Sequence, residues 1–480
     1  MNNRGQITVF LSILTTSMLL LGLTMIEVAR IKMGDARTVE ATCGAVENVK
    51  AAYCRELFDE YHLLAIDKNF GGQGEGKLEQ IVQDYLEYTL SGQTDKLAVE
   101  QVALSRYEGL LDKDCEGMKK QISDYMKTYM LTNGAKDILE MLTAEDQAGD
   151  DSGNAIEQGR EESLEECDKW TGRDPREVLG ELVKGGILPL VVSDRGLPSE
   201  KKIDTENLPS YGVGEENIEE DGTDFQDIEE FESQIKRKNT FGSSEIIGNM
   251  YGVAYALETF NSYTVSRSER PLSCEIEYLI CGRDSDMDNL KGVVNRIILH
   301  RLPINFAYLV TERKRVAVVE PMAFALALLP GVTYSAAKYL LLGCWAYVET
   351  LADVKIMLAG HDIQFMKTDS TWLTDIRNIE ALKNIDAQDF KGNDAIGYRE
   401  YLALLLVENS KYMYYRMADL MQISISMTDD SFLIKNAVCG FSVDVEVSQP
   451  AHFIAFIENK GNTNINDDMY RHMCNMSGRY

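Results

Sequence analysis

The sequence has 480 residues, which is room for two or three domains, and 45% of them are hydrophobic, enough for at least one large core. Acidic residues outnumber basic residues by 77 to 48, and the net charge of -29 argues against a surface that binds nucleic acid. The nine cysteines show no CxxC spacing and the five histidines are isolated from one another. We therefore expect no disulfide framework, no metal site and no cofactor.

The strongest feature of the sequence is an uncharged apolar stretch at residues 6–26. As a helix it would be about 31 Å long, close to the thickness of a bilayer's hydrocarbon core. A retained anchor, a cleaved signal peptide and a buried soluble helix all fit such a stretch. We favour the anchor, because no small-residue cleavage site follows and the helical pattern continues past Glu27. Its predicted lipid-facing residues are Ile7, Val9, Phe10, Leu11, Ile13, Leu14, Leu19, Leu20, Leu21, Leu23, Met25 and Ile26.

Helical periodicity continues beyond the anchor, with apolar residues three, four or seven positions apart up to Tyr61. The pattern predicts one long helix from about Gln6 to Glu60, half in lipid and half forming a helical stalk outside it. Gly34 and Gly44 are the positions where this helix is expected to be weakest.

The run "RGQITVFLSILTTSMLLLGLTMIEVARIKMGDARTVEATCGAVENVKAAYC" resembles the amino-terminal segment of TadE/TadG-like proteins, which are associated with tight-adherence (Flp-type) pilus assembly. The resemblance covers about 60 residues and includes Gly5, the apolar span, the Glu27–Arg30 exit and an alanine-rich helix. It implies a single-pass membrane protein that contacts membrane lipid and other pilin-like or pilus-assembly proteins.

The chain also departs from that family's relatives. Processing between Gly5 and Gln6, as in type IV pilin-like substrates, would call for Glu at the fifth position after the glycine, where Phe10 stands. The sequence therefore argues against cleavage there. The Asp-x-Ser-x-Ser string of a metal-dependent adhesion domain is also missing.

Four segments follow from composition and periodicity. Residues 1–60 are the anchor and stalk, 61–143 a small α+β or helical segment, 144–240 an acidic and largely disordered linker, and 241–480 the main α+β domain. Within the linker, Asp174 and Pro175 predict the capped start of a short helix. The expected fold class is α+β and helix-rich: a transmembrane helix and stalk, then a mainly helical extracytoplasmic domain with a small sheet.

In the last segment, apolar and polar residues alternate over 271–282, which predicts a half-buried strand with Glu275 and Glu277 on its outer face. Ser285 and Asp288 predict a capping box for a helix that ends near His300. Residues 316–358 fit two core helices around a Pro330–Gly331 turn better than a membrane-associated hairpin. The patterns also predict helices at 243–263 and 401–425 and a strand at 438–447.

The strings "CEIEYLICGRDSDMDNLKGVVNRI", "WAYVETLADVKIMLAGHDIQFMK" and "YREYLALLLVENSKYMYYRMADLMQ" resemble an uncharacterised bacterial family that shares the TadG-like amino terminus. That resemblance spans most of residues 248–425 and implies architecture without catalytic residues.

The sequence offers little for catalysis, because it contains neither GxSxG nor HExxH. Glu349 and Asp353 lie four residues apart and could form a carboxylate pair, but we expect them to face solvent or to pair with Lys355 or Arg377. We therefore expect a non-enzymatic, membrane-anchored structural or assembly component of a Tad-like pilus or secretion apparatus. The alternative is a surface enzyme or ligand-binding module on the same anchor.

Two observations point against an extracytoplasmic bulk. Arg4 precedes the apolar span whereas Arg30, Lys32 and Arg37 follow it, and the positive-inside rule then favours a cytoplasmic bulk. Scattered cysteines are also more common in reducing compartments. We follow the resemblance, which implies a cell-membrane protein whose bulk is extracytoplasmic.

Overall fold

The computed structural model describes residues 3–74, 76–91, 96–133, 172–192, 196–211, 246–267, 270–385, 390, 392, 394–452 and 469–480. Within these residues the protein is helix-rich, with a long apolar amino-terminal helix and a small antiparallel sheet. The predicted α+β class is confirmed.

The chain forms two compact units, residues 1–121 with 425–480 and residues 122–424. The four segments expected from sequence follow chain order, whereas the first unit combines both ends of the chain. Most of the expected acidic linker at 144–240, including 144–171 and 212–240, lies outside the described residues. Its described parts carry short helices that belong to the second unit.

The first unit contains the helix that carries the apolar stretch and the larger sheet. Its helices are α1 (Asn3–Lys50), α2 (Arg55–Tyr61), α3 (Gly76–Leu90) and the start of α4 (Asp112–Asn133). Its strands are β1 (Ile66–Asp67), β2 (Ala98–Gly109), β5 (Ala437–Pro450) and β6 (Met469–Arg479).

Strand β5 is the centre of this sheet and pairs antiparallel with β1, β2 and β6. In register, Val445 lies between Val102 of β2 and Cys474 of β6. Alternate residues of β5 join buried residues of α1 and α3 in one core: Phe441, Val443, Val445 and Val447 with Ala41, Ala45, Val46, Val49, Leu78, Val82, Leu86 and Leu90. The carboxy-terminal half of α1 is thus packed into the core of this unit. The predicted strand at 438–447 is confirmed as part of β5.

The described part of the second unit is built from helices and one pair of two-residue strands. The helices are α5 (Pro175–Val183), α6 (Leu188–Val191), α7 (Ile246–Thr259), α8 (Glu275–Cys281), α9 (Asp286–Thr311), α10 (Arg313–Leu326), α11 (Tyr334–Leu358), α12 (Tyr398–Glu408) and α13 (Ser410–Ser426). Strands β3 (Ile363–Gln364) and β4 (Ala395–Ile396) pair with each other. The long helices α9 and α11 pack together, and α11 is buried from Leu341 to its end.

The strand predicted at 271–282 is wrong, because Glu275–Cys281 forms helix α8. Glu275 and Glu277 are buried, so the alternation of apolar and polar residues does not separate a buried face from an exposed one. Both carboxylates lie in the first helical turn, where negative charge stabilises a helix, and Gly282 ends α8 in the left-handed conformation at φ 69°.

The long amino-terminal helix is shorter than predicted and runs unbroken through Gly34 and Gly44. It ends at Lys50, and the Cys54 amide bonds instead to the carbonyl of Ala65 at 2.8 Å. A Cβ on Gly34 would lie 2.7 Å from Gln449 Oε1, and a Cβ on Gly44 would overlap the Tyr85 side chain. Both glycines therefore mark close packing.

Two helices start where the sequence predicts. The side chain of Asp174 accepts a hydrogen bond from the Arg176 amide, and Pro175 is the first residue of α5. Ser285 accepts a hydrogen bond from the Asp288 amide at 3.1 Å and so caps α9. The Asp288 carboxylate accepts from the Ser285 hydroxyl and not from the Ser285 amide, so the predicted capping box is only half formed. Helix α9 also continues to Thr311 rather than ending near His300.

The helices at 243–263, 316–358 and 401–425 appear with changed boundaries. The first is described as Ile246–Thr259, and the last divides at Asn409 into α12 and α13. Helices α10 and α11 form the predicted pair around Pro330 and Gly331, and Gly331 has φ 86°.

Candidate functional site: the exposed half of α1 and its polar junction

The first part of α1 is an uncovered apolar helix. All twelve predicted lipid-facing residues, from Ile7 to Ile26, are exposed large hydrophobics. Among the described residues, Gln6–Lys50 is the one helix long and apolar enough to cross a membrane, and no residue of its most apolar window is buried. Water would solvate this surface poorly, so it is suited to a lipid or protein environment.

The hydroxyl side chains of the apolar stretch bond back to their own helix. Ser12 donates to the Val9 carbonyl at 2.8 Å, Thr16 to Ser12 at 2.7 Å and Thr24 to Leu21 at 2.8 Å. These bonds satisfy the hydroxyl protons inside the helix and lower the cost of placing the residues in an apolar medium. Gly5 and Gln6 lie within α1, and Gln6 is exposed.

A buried ion pair marks the point where α1 leaves its exposed half. Glu27 is fully buried, and its Oε2 lies 3.5 Å from Nε of Arg30 one turn later. Glu27 Oε1 accepts a hydrogen bond from the His452 amide at 2.9 Å, and the Arg30 guanidinium donates to the Pro450 carbonyl. The pair thus joins α1 to the carboxyl end of β5.

A second polar contact lies two turns further along α1. His472 of β6 contacts Asp35 Oδ1 through Nδ1 at 2.6 Å and Gln449 Oε1 through Nε2 at 3.0 Å. The hydrogen bond with His472 is the main reason that the pKa of Asp35 is lowered. Because Gly34 has no side chain, the helix can approach His472 and Gln449 closely enough for these contacts.

The carboxylate pair of α11 is not where we expected it. Glu349 and Asp353 are fully buried instead of facing solvent, and neither pairs with Lys355 or Arg377. Lys355 donates to the carbonyls of Leu382 and Lys383, and Arg377 pairs with Asp375. Their spacing of four residues correctly predicted that Glu349 and Asp353 share one face of α11. Whether that face is buried or exposed depends on the other elements of the second unit, which the spacing does not reveal.

Two buried bases neutralise the two carboxylates. Lys367 Nζ lies 2.8 Å from Glu349 and 2.6 Å from Asp353, and Arg301 Nε lies 2.8 Å from Asp353. Backbone amides of Leu373 and Thr374 also donate to Glu349, at 3.0 and 2.9 Å. We call Arg301, Glu349, Asp353 and Lys367 the ionic cluster. It ties the chain at 363–374 to α9 and α11.

The electrostatics of the ionic cluster favour a structural role over acid–base chemistry. Burial raises the pKa of Asp353, but the charges of Arg301 and Lys367 outweigh burial and leave that pKa lowered. Fixed donors therefore hold an ionised carboxylate, which has no proton to give. Sequence reasoning did not single out Arg301 and Lys367, because their partners lie 52 and 18 positions away.

A second set of buried carboxylates also escaped sequence reasoning. Glu275 accepts a hydrogen bond from the Asn261 amide, and Glu277 accepts from the Tyr263 amide and the Tyr398 hydroxyl. Burial raises the pKa of each carboxyl to about 7. Among the described residues, no group of three or more His, Cys, Asp or Glu side chains could hold a metal ion.

Comparison with known proteins identifies a family for this chain, but the function of that family is unknown. No curated protein and no solved structure matches the chain significantly. Residues 165–449 match a family of unknown function (DUF5702), which covers more than half of the sequence and most of the second unit. The chain therefore belongs to this family of unknown function.

Proposed function

We propose that the protein is a non-enzymatic, single-pass membrane component that assembles with pilin-like proteins in a Tad-like pilus or secretion apparatus, with its bulk outside the cytoplasm. The observation that carries the proposal is the division of α1. Its first half is an exposed apolar rod of membrane-spanning length, and its second half is packed into the core of a folded unit. The TadE/TadG-like sequence of the first 60 residues supports the assignment to this machinery.

The continuity of α1 supports a structural task. A single helix runs from the apolar segment to Lys50 without a break, and the Glu27–Arg30 pair fixes it to the end of β5 just beyond the last anchor residue. Such a connection holds the sheet close to the membrane surface and transmits force between them. The apolar half remains available to lipid and to the helices of neighbouring subunits.

Membrane retention tests the first part of the proposal. Arginine at both Leu14 and Leu20 places two charges near the centre of the span, at a cost of roughly 2.5–3.5 kcal/mol each on insertion scales. We expect the Leu14→Arg, Leu20→Arg variant to be lost from alkali-washed membranes, and a Leu14→Met, Leu20→Met control to remain. Retention of the arginine variant would contradict the anchor. An intact mass corresponding to a chain that begins near residue 25 would identify a cleaved signal instead.

Orientation needs its own experiment. A carboxy-terminal tag is exposed to protease on intact cells and, in parallel, on lysed cells, together with a cytoplasmic control protein. We expect the tag to be digested on intact cells while the control survives. Protection of the tag until lysis would place the bulk in the cytoplasm and rule out a pilin-like topology.

Assembly is tested with photoreactive residues on the exposed half of α1. A probe at Leu20 or Met25 in intact cells should form adducts with pilin-like subunits, whereas a probe at Tyr88, which is exposed at the end of α3, should not. Adducts with lipid alone would retain the anchor and remove the assembly role.

A further inference from the structure

The turn between α10 and α11 carries a second exposed apolar surface. Phe324 is 50% exposed, Leu328 74% and Leu329 51%, and Val332 is also exposed. We call Phe324, Leu328, Leu329, Pro330 and Val332 the hairpin tip. Gly331 lies inside it with φ 86°, a conformation that makes the tight reversal possible.

The core of the second unit does not use the hairpin tip. On the two helices that lead to it, Met322, Ala323, Ala337 and Leu341 are buried, so the base of the hairpin already supplies the packing. The side chains of the hairpin tip are exposed instead. A single exposed leucine would be unremarkable, but several exposed apolar side chains next to one another are typical of an interaction surface.

The lack of charged residues around the hairpin tip indicates what kind of surface it contacts. From Pro321 to Ala337 the sequence has no charged residue, although 26% of the whole chain is charged and its net charge is -29. Glu320, the carboxylate that directly precedes this stretch, is paired with Lys338 at 3.5 Å. The tip can therefore approach an anionic bilayer surface without an unpaired flanking carboxylate. Tyr334 and Tyr339 follow within two turns, and tyrosine is typical of the interface between lipid and water.

We propose that the hairpin tip inserts into the interfacial layer of the lipid bilayer, as a second membrane contact in addition to α1. The inference rests on the proposed function, because α1 would anchor the chain to the bilayer that the tip contacts. Insertion is shallow, to roughly 5–10 Å, as is typical of interfacial segments. The buried stretch of α11 from Leu341 onward excludes a spanning hairpin. A bilayer also suits a protruding turn better than a protein partner does, because a protein would need a matching cavity.

The test uses the full chain reconstituted in vesicles of phosphatidylethanolamine with a minor fraction of phosphatidylglycerol. Photoleucine is placed at Leu328, at Leu14 in α1, or at Leu197, which is 54% exposed in the same unit as the tip. Adducts are identified by mass spectrometry after irradiation. We expect Leu328 to give several-fold more lipid adduct than Leu197, with Leu14 as the positive control.

The outcomes separate the inference from the proposed function. If Leu14 labels lipid and Leu328 labels no more than Leu197, the hairpin proposal is overturned and the anchor stands. Adducts from Leu328 to a second copy of the chain also overturn it. If Leu14 gives no lipid adduct, the anchor fails, and labelling at Leu328 still decides the hairpin.

A charge variant provides an independent check. Leu328→Glu with Leu329→Glu changes only exposed side chains, so circular dichroism and the unfolding midpoint should stay unchanged. Lipid labelling from photoleucine at Leu326, which precedes the turn, should then fall several-fold, because the two carboxylates resist insertion. Unchanged labelling in the folded variant would overturn the proposal.

Discussion

The carboxylate of Glu27 accepts a hydrogen bond from the backbone amide of His452 at 2.9 Å. Glu27 is the first buried residue of α1 after the exposed apolar stretch, and His452 follows directly after β5. The segment that follows β5 therefore contacts α1 at the point where the exposed half of the helix ends. This contact makes the junction between the apolar half of α1 and the sheet a specific polar link.

Replacing Glu27 should loosen that junction. Glu27→Ala leaves Arg30 with little exposure and no carboxylate partner, which costs about 3 kcal/mol when an ion pair is broken in a buried site. Glu27→Gln keeps an acceptor for the His452 amide and should cost less. Hydrogen exchange at the His452 amide, measured in detergent, should accelerate more in the alanine variant than in the glutamine variant. Equal exchange in both would contradict the role of the hydrogen bond.

A methyl group at Gly44 should crowd the Tyr85 side chain and destabilise the first unit. An added Cβ would overlap the Tyr85 hydroxyl and approach Cζ to 3.1 Å, and overpacking of this kind costs about 1–3 kcal/mol. Gly44→Ala should therefore lower the free energy of unfolding of the first unit, although alanine is the better helix former. Gly180→Ala is the matched control, because no atom of the described residues lies within 4 Å of its added Cβ, and it should be neutral or stabilising.

A second substitution tests the cause at Gly44. Tyr85→Phe removes the overlapping hydroxyl, so the double variant should recover part of the loss measured by urea unfolding. If Gly44→Ala and Gly180→Ala behave alike, the close approach of α1 and α3 at this point is wrong.

The ionic cluster should respond as a coupled set. Asp353→Ala removes the carboxylate between Arg301 and Lys367 and leaves buried positive charge, which costs about 3–5 kcal/mol. Adding Lys367→Met restores electroneutrality, because Glu349 then balances Arg301. Denaturant unfolding should show the double variant to be less destabilised than the sum of the two single variants. Simple additivity would show that the four charges do not interact.

The stability of the second unit should fall as the pH rises toward 7. Glu275 and Glu277 have pKa values raised to about 7, against about 4.3 for a glutamate in an unfolded chain. Between these values the folded state holds more protons than the unfolded state, so the contribution is complete below pH 4.3 and is lost as the pH rises through 7. At about 1.4 kcal/mol per pKa unit, each carboxyl contributes up to roughly 4 kcal/mol to this loss.

Glu277→Gln should remove part of that pH dependence. The amide still accepts from the Tyr263 amide and the Tyr398 hydroxyl but carries no charge at any pH. Urea unfolding between pH 5 and 8 should therefore show a flatter curve than for the native chain, with the largest gain at pH 8. Glu181→Gln, at an exposed position of α5, should leave the curve unchanged. A parallel curve for Glu277→Gln would exclude the raised pKa.

The sequence by itself determined the features that act over a few residues. An uncharged stretch as long as a bilayer is thick predicted the apolar half of α1. Asp174 and Ser285 predicted the starts of two helices, and the alternation of apolar and polar residues predicted β5. Hydropathy, capping and side-chain periodicity are properties of neighbours in the chain. These signals survive in the folded protein because no distant contact opposes them.

Only the tertiary structure decided which distant strands and side chains contact one another. Strand β2, which carries no clear local pattern, exists because it pairs with β5, with Ser105 bonded to Asp444 across 339 positions. Alternation failed at α8 because both faces of that segment are buried, and Glu349 and Asp353 were placed in solvent because Arg301 and Lys367 could not be identified as their partners. A charged side chain can be buried only where an opposite charge or a hydrogen-bonding group contacts it. The tertiary fold decides which distant residues make that contact.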